Sequence, residues 1–249
     1  MTHKPEFSVV IPAYNEAERI GPSISAICKH LTACGVDYEI IVVDDGSTDS
    51  TSDIVKSHTQ KNGRIRLISY HPNKGKGYAV RTGMLSARAE SVLLSDADMA
   101  TPIEELKKLQ KVAQNRCEVV VGSRALKDSA VEGWRPWYRE LSGKVFNRIV
   151  RWLAVPKVRD TQCGFKLFTG GSARKIFSVA RLDGFGFDVE ALYLAHKFGC
   201  RIHEVAVLWS NSPSTKVSVL KHTLPMLLEI IKVRVNDWNK RYESPLSDH

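Results

Sequence analysis

Short apolar runs alternate with amphipathic stretches through the first half of the chain, at the spacing of strands and helices. Phe7 to Ile11 reads as a buried strand that ends at Pro12-Ala13-Tyr14-Asn15-Glu16, and a helix follows to about Ala33. Tyr38 to Val43 is a second strand, ending in Asp44-Asp45-Gly46-Ser47-Thr48-Asp49. A helix then leads to a strand at Arg64 to Ser69, the glycine-rich turn Asn73-Lys74-Gly75-Lys76-Gly77, and a helix through Ala87. Ser91 to Ser95 is the fourth strand, Pro102 to about Asn115 a helix, and Glu118 to Val121 a fifth strand. Such alternation predicts an α/β fold with a mostly parallel, Rossmann-like sheet flanked by helices. Ligands of open parallel sheets bind beyond the carboxyl ends of the strands, where each of these polar clusters falls.

The second half is less regular. Trp134 to Val155 is rich in aromatic and basic residues, and Asp160 to Phe168 reads as a loop entering a strand. Gly184 to Glu190 starts a helix to about Phe198, Arg201 to Leu208 is a strand, and Trp209 to Lys216 is a polar loop. A long amphipathic helix from about Val219 to Lys240 closes a single domain over 1–249, with a ligand-binding half at 1–125 and a second half at 126–249.

The fourth strand runs directly into Asp96 and Asp98. Strand side chains alternate, so both carboxylates leave from one side. Two close carboxylates repel unless a cation neutralises them, and Mg2+ or Mn2+ suits oxygen ligands best. Thr101, Pro102 and Glu104 supply a capping box for the next helix, which leaves the aspartates for ligand work. Asp44 and Asp45 lie at another strand end; a helix-entry turn accounts for Gly46 and one polar residue, but not for both acids. Glu16 either bonds a ribose or favours its helix start. Lys74 and Lys76 are placed to reach phosphate, helped by N–H groups at the following helix terminus. A dinucleotide fingerprint at Gly75 and Gly77 is discounted, because Val80 replaces its third glycine and it follows the third strand.

Composition narrows the partners. The net charge of +9 implies an anionic one. Nucleic acid is not expected, since the aromatics cluster with apolar helical faces instead of lining a basic one. The five cysteines form no C-x-x-C pair, the polar N-terminus carries no signal peptide, and no apolar run suffices for a membrane span; together they predict a cytoplasmic protein.

Pro12 to Glu16, Val43 to Ser47 and Asp96-Ala97-Asp98 together resemble the inverting family 2 glycosyltransferases, whose nucleotide-sugar domain is called GT-A. Asn73 to Gly77, Ala79-Val80-Arg81, Gly122-Ser123-Arg124, Arg159 to Phe168 and Phe187 to Glu190 are similar to the dolichyl-phosphate β-glucosyltransferases, close cousins of the polyprenyl-phosphate mannosyltransferases. The resemblance implies that Asp44 or Asp45 holds the base and ribose of a nucleotide sugar. Pro12, Ala13, Tyr14, Glu16, Lys76 and Ala97 would belong to the same pocket. Asp96 would contact the sugar nucleotide, and Asp98 would bind the metal on its diphosphate. Arg124, Arg139 and Lys216 would face the acceptor phosphate, with Arg124 and Arg139 catalytic beside the aspartates. Gly143 replaces a serine common in the mannosyltransferases, with Ser142 beside it, so no serine contact is carried over. The N-terminal membrane anchor of the eukaryotic glucosyltransferases is not expected here.

The activity so implied is transfer of glucose from UDP-glucose to a polyprenyl or dolichyl phosphate. The alternatives are a GDP-mannose donor, or a non-catalytic binder of nucleotide or polyanion. A phosphate acceptor is already anionic, so no general base is needed, with Asp188 and Glu190 the candidates for a hydroxyl acceptor. The protein would reach lipid from the cytoplasmic face of a membrane. Val145, Phe146, Ile149, Val150, Trp152 and Leu153 share one helical face among Lys144, Arg148 and Arg151, preceded by Trp134 and Trp137. Leu220, Leu224, Leu227, Leu228, Ile231, Val235 and Trp238 form a second, for which membrane, core and a homo-oligomer contact stay open.

Overall fold

The computed structural model describes residues 4–132, 155, 158–210 and 219–243, the side chains of 219–227 excepted. Its strands are β1 (Phe7–Ala13), β2 (Tyr38–Asp44), β3 (Ile65–Ser69), β4 (Ser91–Ser95), β5 (Val119–Ser123), β6 (Ala130–Glu132), β7 (Phe165–Thr169), β8 (Ile202–Ala206) and β9 (Leu208–Ser210). Its helices are α1 (Ala17–Ala33), α2 (Thr51–Lys61), α3 (Lys76–Ser86), α4 (Leu106–Ala113), α5 (Gly170–Phe177), α6 (Phe187–Lys197) and α7 (Val219–Trp238).

The main sheet has seven strands in the order β3-β2-β1-β4-β7-β5-β8. Every pairing is parallel except those of β7, which lies antiparallel between β4 and β5. Burial of both sheet faces explains why the strands read as continuous apolar runs. Val10, Ile41, Val43, Val92 and Leu94 pack with Ala79, Met84, Ile176, Val189, Ile230 and Val233 of α3, α5, α6 and α7. Val9, Ile11, Ile40, Val42 and Leu93 pack on the other face with Ile20, Ile24, Val55, Leu106 and Leu109 of α1, α2 and α4.

The chain runs outward from β1 through β2 to β3, then returns to place β4 on the other side of β1. The crevice at such a reversal is where open sheets bind ligands. Here it opens between the ends of β1 and β4.

Several local expectations change. Helix α5 is an addition, in a stretch to which the sequence assigned no element: Ser172 N–H donates to Thr169 Oγ1 at 3.3 Å and the helix packs against β4 and β7. The capping box at Thr101 does not form. Thr101 is buried, and a 3-10 turn over Ile103–Glu105, without a side-chain cap, precedes α4. Trp209 and Ser210 belong to β9, which pairs with β6, instead of to a polar loop. No helix among the described residues is long and apolar enough to cross a membrane.

Candidate active site

Asp96 follows β4 directly, and its Oδ1 accepts from Lys76 Nζ at 2.6 Å. Both side chains keep about a third of their surface open, so this is a pair at a cleft wall, not one sealed in the core. Burial works against the charged form of Asp96, but Lys76, with Lys166 and Arg124 beyond it, outweighs that and lowers its pKa. Burial likewise works against charged Lys76, yet Asp96 and Asp188 push its pKa up to about 12.

Asp98 sits differently. Its Oδ1 accepts from Ala100 N–H at 3.1 Å, so the turn uses one oxygen and the acid is not wholly spare. Its Oδ2 has Arg19 at 3.9 Å, while Arg19 pairs with Glu16 at 2.5 Å. Burial, then the charge of Asp96, raises the pKa of Asp98. Lys76 thus neutralises Asp96 closely, while the nearest cation to Asp98 among the described residues, Arg19, stands at the edge of ion-pair distance.

Gly164 makes this geometry possible. The antiparallel entry of β7 pairs Phe165 with Ser95, which lays Gly164 against the Asp96 carboxylate. A Cβ at Gly164 would stand 1.9 Å from Asp96 Oδ2. Ser95, Asp96, Met99, Ala100, Thr101, Gly164, Phe165 and Trp209 line a cleft here. Met99 adopts a left-handed φ of 46°, the kind of backbone strain that gathers at functional sites.

Arg124 leaves the end of β5 and forks onto buried Asp160, with Nε and Nη2 donating at 2.7 and 2.8 Å. Burial opposes its charge, but Asp160 outweighs this and its pKa rises. The guanidinium also stacks 5.6 Å from the Trp209 ring centroid. A bidentate arginine of this kind is a fixed positive charge.

Asp44 and Asp45 have structural partners, contrary to the expectation that a turn leaves one of them unexplained. Asp44 accepts from Ser47 N–H and Ser69 Oγ at 3.0 and 3.2 Å. Asp45 accepts from Lys74 and Gly75 N–H and from Asn73 Nδ2 at 2.8 to 2.9 Å, clamping the glycine-rich turn to β2. Ser47, Asp49 and Thr51 reach the other way, accepting from the N–H groups of Asn15, Ala17 and Glu16 at the start of α1. Pro12 and Ala13 are buried in β1, Ala97 is buried directly after Asp96, and Tyr14 is 45% exposed just beyond the end of β1.

The phosphate cradle expected at α3 is not open. Gly77 and Tyr78 N–H both donate to Asp183 O, at 2.7 and 3.3 Å, and Lys74 lies over the Tyr70 and Tyr78 rings. Glu190 is no base: fully buried, it accepts from Arg181 N–H, Leu182 N–H and the Tyr242 hydroxyl. Asp188 is buried in a 2.5 Å pair with Lys166, burial raising its pKa against the pull of that lysine. Arg19 is not singled out in the sequence; Asp160, Gly164 and Lys166 lie in the motif Arg159 to Phe168, which gives them no individual role. Arg139, Lys216, Trp134, Trp137 and the stripe over 144–153 lie outside the described residues.

Among the described residues no group of three or more His, Cys, Asp or Glu is poised for a metal. With Asp96 held by Lys76, Asp98 Oδ2 is the oxygen that could share an ion with a phosphorylated ligand, the usual way Mg2+ is held.

Residues 8–177 match the family described as Glycosyl transferase family 2. A dolichyl-phosphate beta-glucosyltransferase of Dictyostelium discoideum is 38% identical over 239 residues, which span 91% of this chain and 73% of that protein. The protein of that name from Homo sapiens is 36% identical over 243 residues, spanning 92% and 75%. Among solved structures, mannosyl-3-phosphoglycerate synthase from Rubrobacter xylanophilus covers 98% of this chain and 78% of its own, with a TM-score of 0.68 at 19% identity. Glucosyl-3-phosphoglycerate synthase from Mycobacterium tuberculosis, in complex with Mn2+, UDP and phosphoglyceric acid, gives 0.66 at 20% identity over 98% and 80%. At these identities the likeness speaks for the fold.

Proposed function

Since the chain belongs to the family 2 glycosyltransferases, and is a glycosyltransferase with the GT-A fold, we propose that it transfers glucose from UDP-glucose to a polyprenyl or dolichyl phosphate with inversion. The observation that carries this reading is the Asp96–Asp98 pair at the fold's switch point, ringed by Lys76, Arg19 and Arg124, in a chain with such relatives. In this reading Tyr14 offers its exposed ring to the base, and the turns after β1 and β2 line the nucleotide pocket. Asp98, short of a close cation, would hold Mg2+ or Mn2+ on the donor diphosphate. When bound, that ion supplies Lewis-acid stabilisation of the departing nucleoside diphosphate.

The chain's own residues solve the remaining problem, which is charge. Acceptor phosphate and donor diphosphate repel, and each must come within bonding distance of one anomeric carbon. Arg124, locked by Asp160, supplies a fixed positive charge that costs no reorganisation during transfer. Arg139 and Lys216 complete the acceptor set in this proposal. Lys76 keeps Asp96 ionised and oriented toward the sugar. No residue needs to remove a proton, because the acceptor oxygen is already anionic. The protein would work peripherally, on the cytoplasmic face of a membrane.

Purified protein incubated with dolichyl phosphate in vesicles and labelled UDP-glucose should yield a glucosylated lipid only with Mg2+ or Mn2+, and Asp98→Ala should abolish it. Product formed from GDP-mannose in preference to UDP-glucose would shift the donor assignment. Failure to bind or turn over either nucleotide sugar would remove the enzymatic reading altogether.

A further inference from the structure

Helix α7 carries two apolar faces, and among the described residues one of them packs into the core while the other is exposed. Ile230 and Val233 are fully buried in the core. Leu228, Ile231, Val235 and Trp238 are 53%, 51%, 45% and 87% exposed. At 100° per residue these four fall on one narrow stripe, roughly opposite Ile230 and Val233. The stripe is about 15 Å long at the helical rise. Among the described residues this stripe faces away from the core that Ile230 and Val233 join.

The charges around the stripe say what kind of surface suits it. Lys232 borders it on one side and Arg234, which also donates to the Tyr193 hydroxyl at 3.3 Å, on the other, both exposed; Lys240, 3.9 Å from Glu243, and Arg241 follow the helix end. The only acids on α7 are Glu229 and Asp237, and both turn inward. Glu229 accepts from Gly186 N–H at 2.6 Å, and Asp237 pairs with Lys197 and with the Tyr193 hydroxyl. An apolar strip with basic edges and a terminal tryptophan matches the headgroup boundary of an anionic bilayer. A second copy of this chain fits poorly, because a two-fold contact would set these basic edges against each other.

We infer that the outer face of α7 is a docking surface for an anionic phospholipid bilayer, with the helix lying flat in the interface. The inner face of the same helix ties that surface to the active site. Glu229 grips the 183–186 loop so closely that a Cβ at Gly184 would lie 2.1 Å from its Oε1. The carbonyl of Asp183 in turn caps the start of α3, which carries Lys76. The bilayer would therefore sit at a set height from the cleft, where a lipid-borne phosphate could enter it. This rests on the lipid acceptor proposed above, but its test does not.

The test is flotation of the full chain with vesicles of phosphatidylcholine alone or with phosphatidylglycerol, with no polyprenyl phosphate and no nucleotide sugar. Wild type should float with the anionic vesicles, less so in high salt. The triple variant Ile231→Ser, Val235→Ser, Trp238→Ser should lose at least about tenfold in partitioning, because it removes the apolar contact from an already exposed face. It should keep its melting temperature and its activity on a short-chain, water-soluble acceptor phosphate. Equal flotation of variant and wild type, or no flotation of wild type, overturns the docking surface. So does concentration-dependent dimerisation that the same variant abolishes, which would assign the stripe to a second copy. None of these results bears on transfer to the soluble acceptor, so a failure of docking and a failure of the proposed reaction are told apart.

Discussion

Replacing Gly164 with alanine adds one methyl group at the point where β7 meets the end of β4. The added Cβ would lie 1.9 Å from Asp96 Oδ2, 2.2 Å from its Cγ and 2.6 Å from Oδ1. The backbone at Gly164 is not left-handed, so alanine is excluded by space alone. To restore an ordinary contact the carboxylate must retreat by at least about 1 Å. That displacement separates it from Lys76, now 2.6 Å away. Overpacking of this kind costs about 1–3 kcal/mol. A reacting group misplaced by about 1 Å loses about 100-fold in rate. The expected result is therefore a moderate fall in stability by urea denaturation and a fall of about 100-fold in kcat for glycosyl transfer. The matching control is Gly171→Ala in the first turn of α5, where a Cβ meets nothing within 4 Å. It should be neutral or stabilising by up to about 1 kcal/mol, with unchanged kcat. Wild-type kcat in Gly164→Ala, measured where the variant is fully folded, would refute the placement of Asp96 in the reaction.

Glu39 is buried at the opposite end of the sheet, where it accepts from Ser8 Oγ, Arg88 N–H and Arg66 Nη1. Glu39→Gln should cost about 3 kcal/mol by denaturant titration, with transfer activity intact below the new melting temperature. Burial raises the Glu39 pKa, but hydrogen bonds from Arg88, Ser8 and Arg66 outweigh it and leave the value lowered. Its contribution is thus complete above the ordinary glutamate pKa of about 4.3 and is lost as the pH falls below that. The gap in stability between wild type and Glu39→Gln should narrow over that acid window; a constant gap would contradict the ionised state. Tyr242→Phe removes the donor 2.6 Å from buried Glu190 and should cost about 1.5–3 kcal/mol, read as a lower urea midpoint. Arg124→Lys cannot reproduce the fork onto Asp160 and should lower kcat/KM for the acceptor by about 10–100-fold, with the donor KM changed little. Equal loss toward donor and acceptor would place Arg124 elsewhere in the reaction.

The order of the elements from β1 to β5 and the position of the Asp96–Asp98 pair were legible in the sequence, because each depends on residues adjacent along the chain. β4 is an apolar run that stops at Asp96, and the sites fall at strand ends wherever strands run parallel. Local pattern also shows that α7 has an apolar face, but not which way it looks. Ile230 and Val233 recur at helical spacing as well as Ile231 and Val235 do, and packing against α6 chooses the inner pair.

Partnerships between distant residues were decided by the tertiary structure alone. Lys76 finds Asp96, Arg124 finds Asp160, and Asp45 clamps residues 73–75, each across a stretch of chain whose path the topology sets. The antiparallel insertion of β7 is the plainest case. A strand's side-chain pattern is the same whichever way it runs, so nothing in residues 165–169 announces its direction. That direction carries Gly164 to within contact of Asp96, and only there does the missing side chain acquire its meaning.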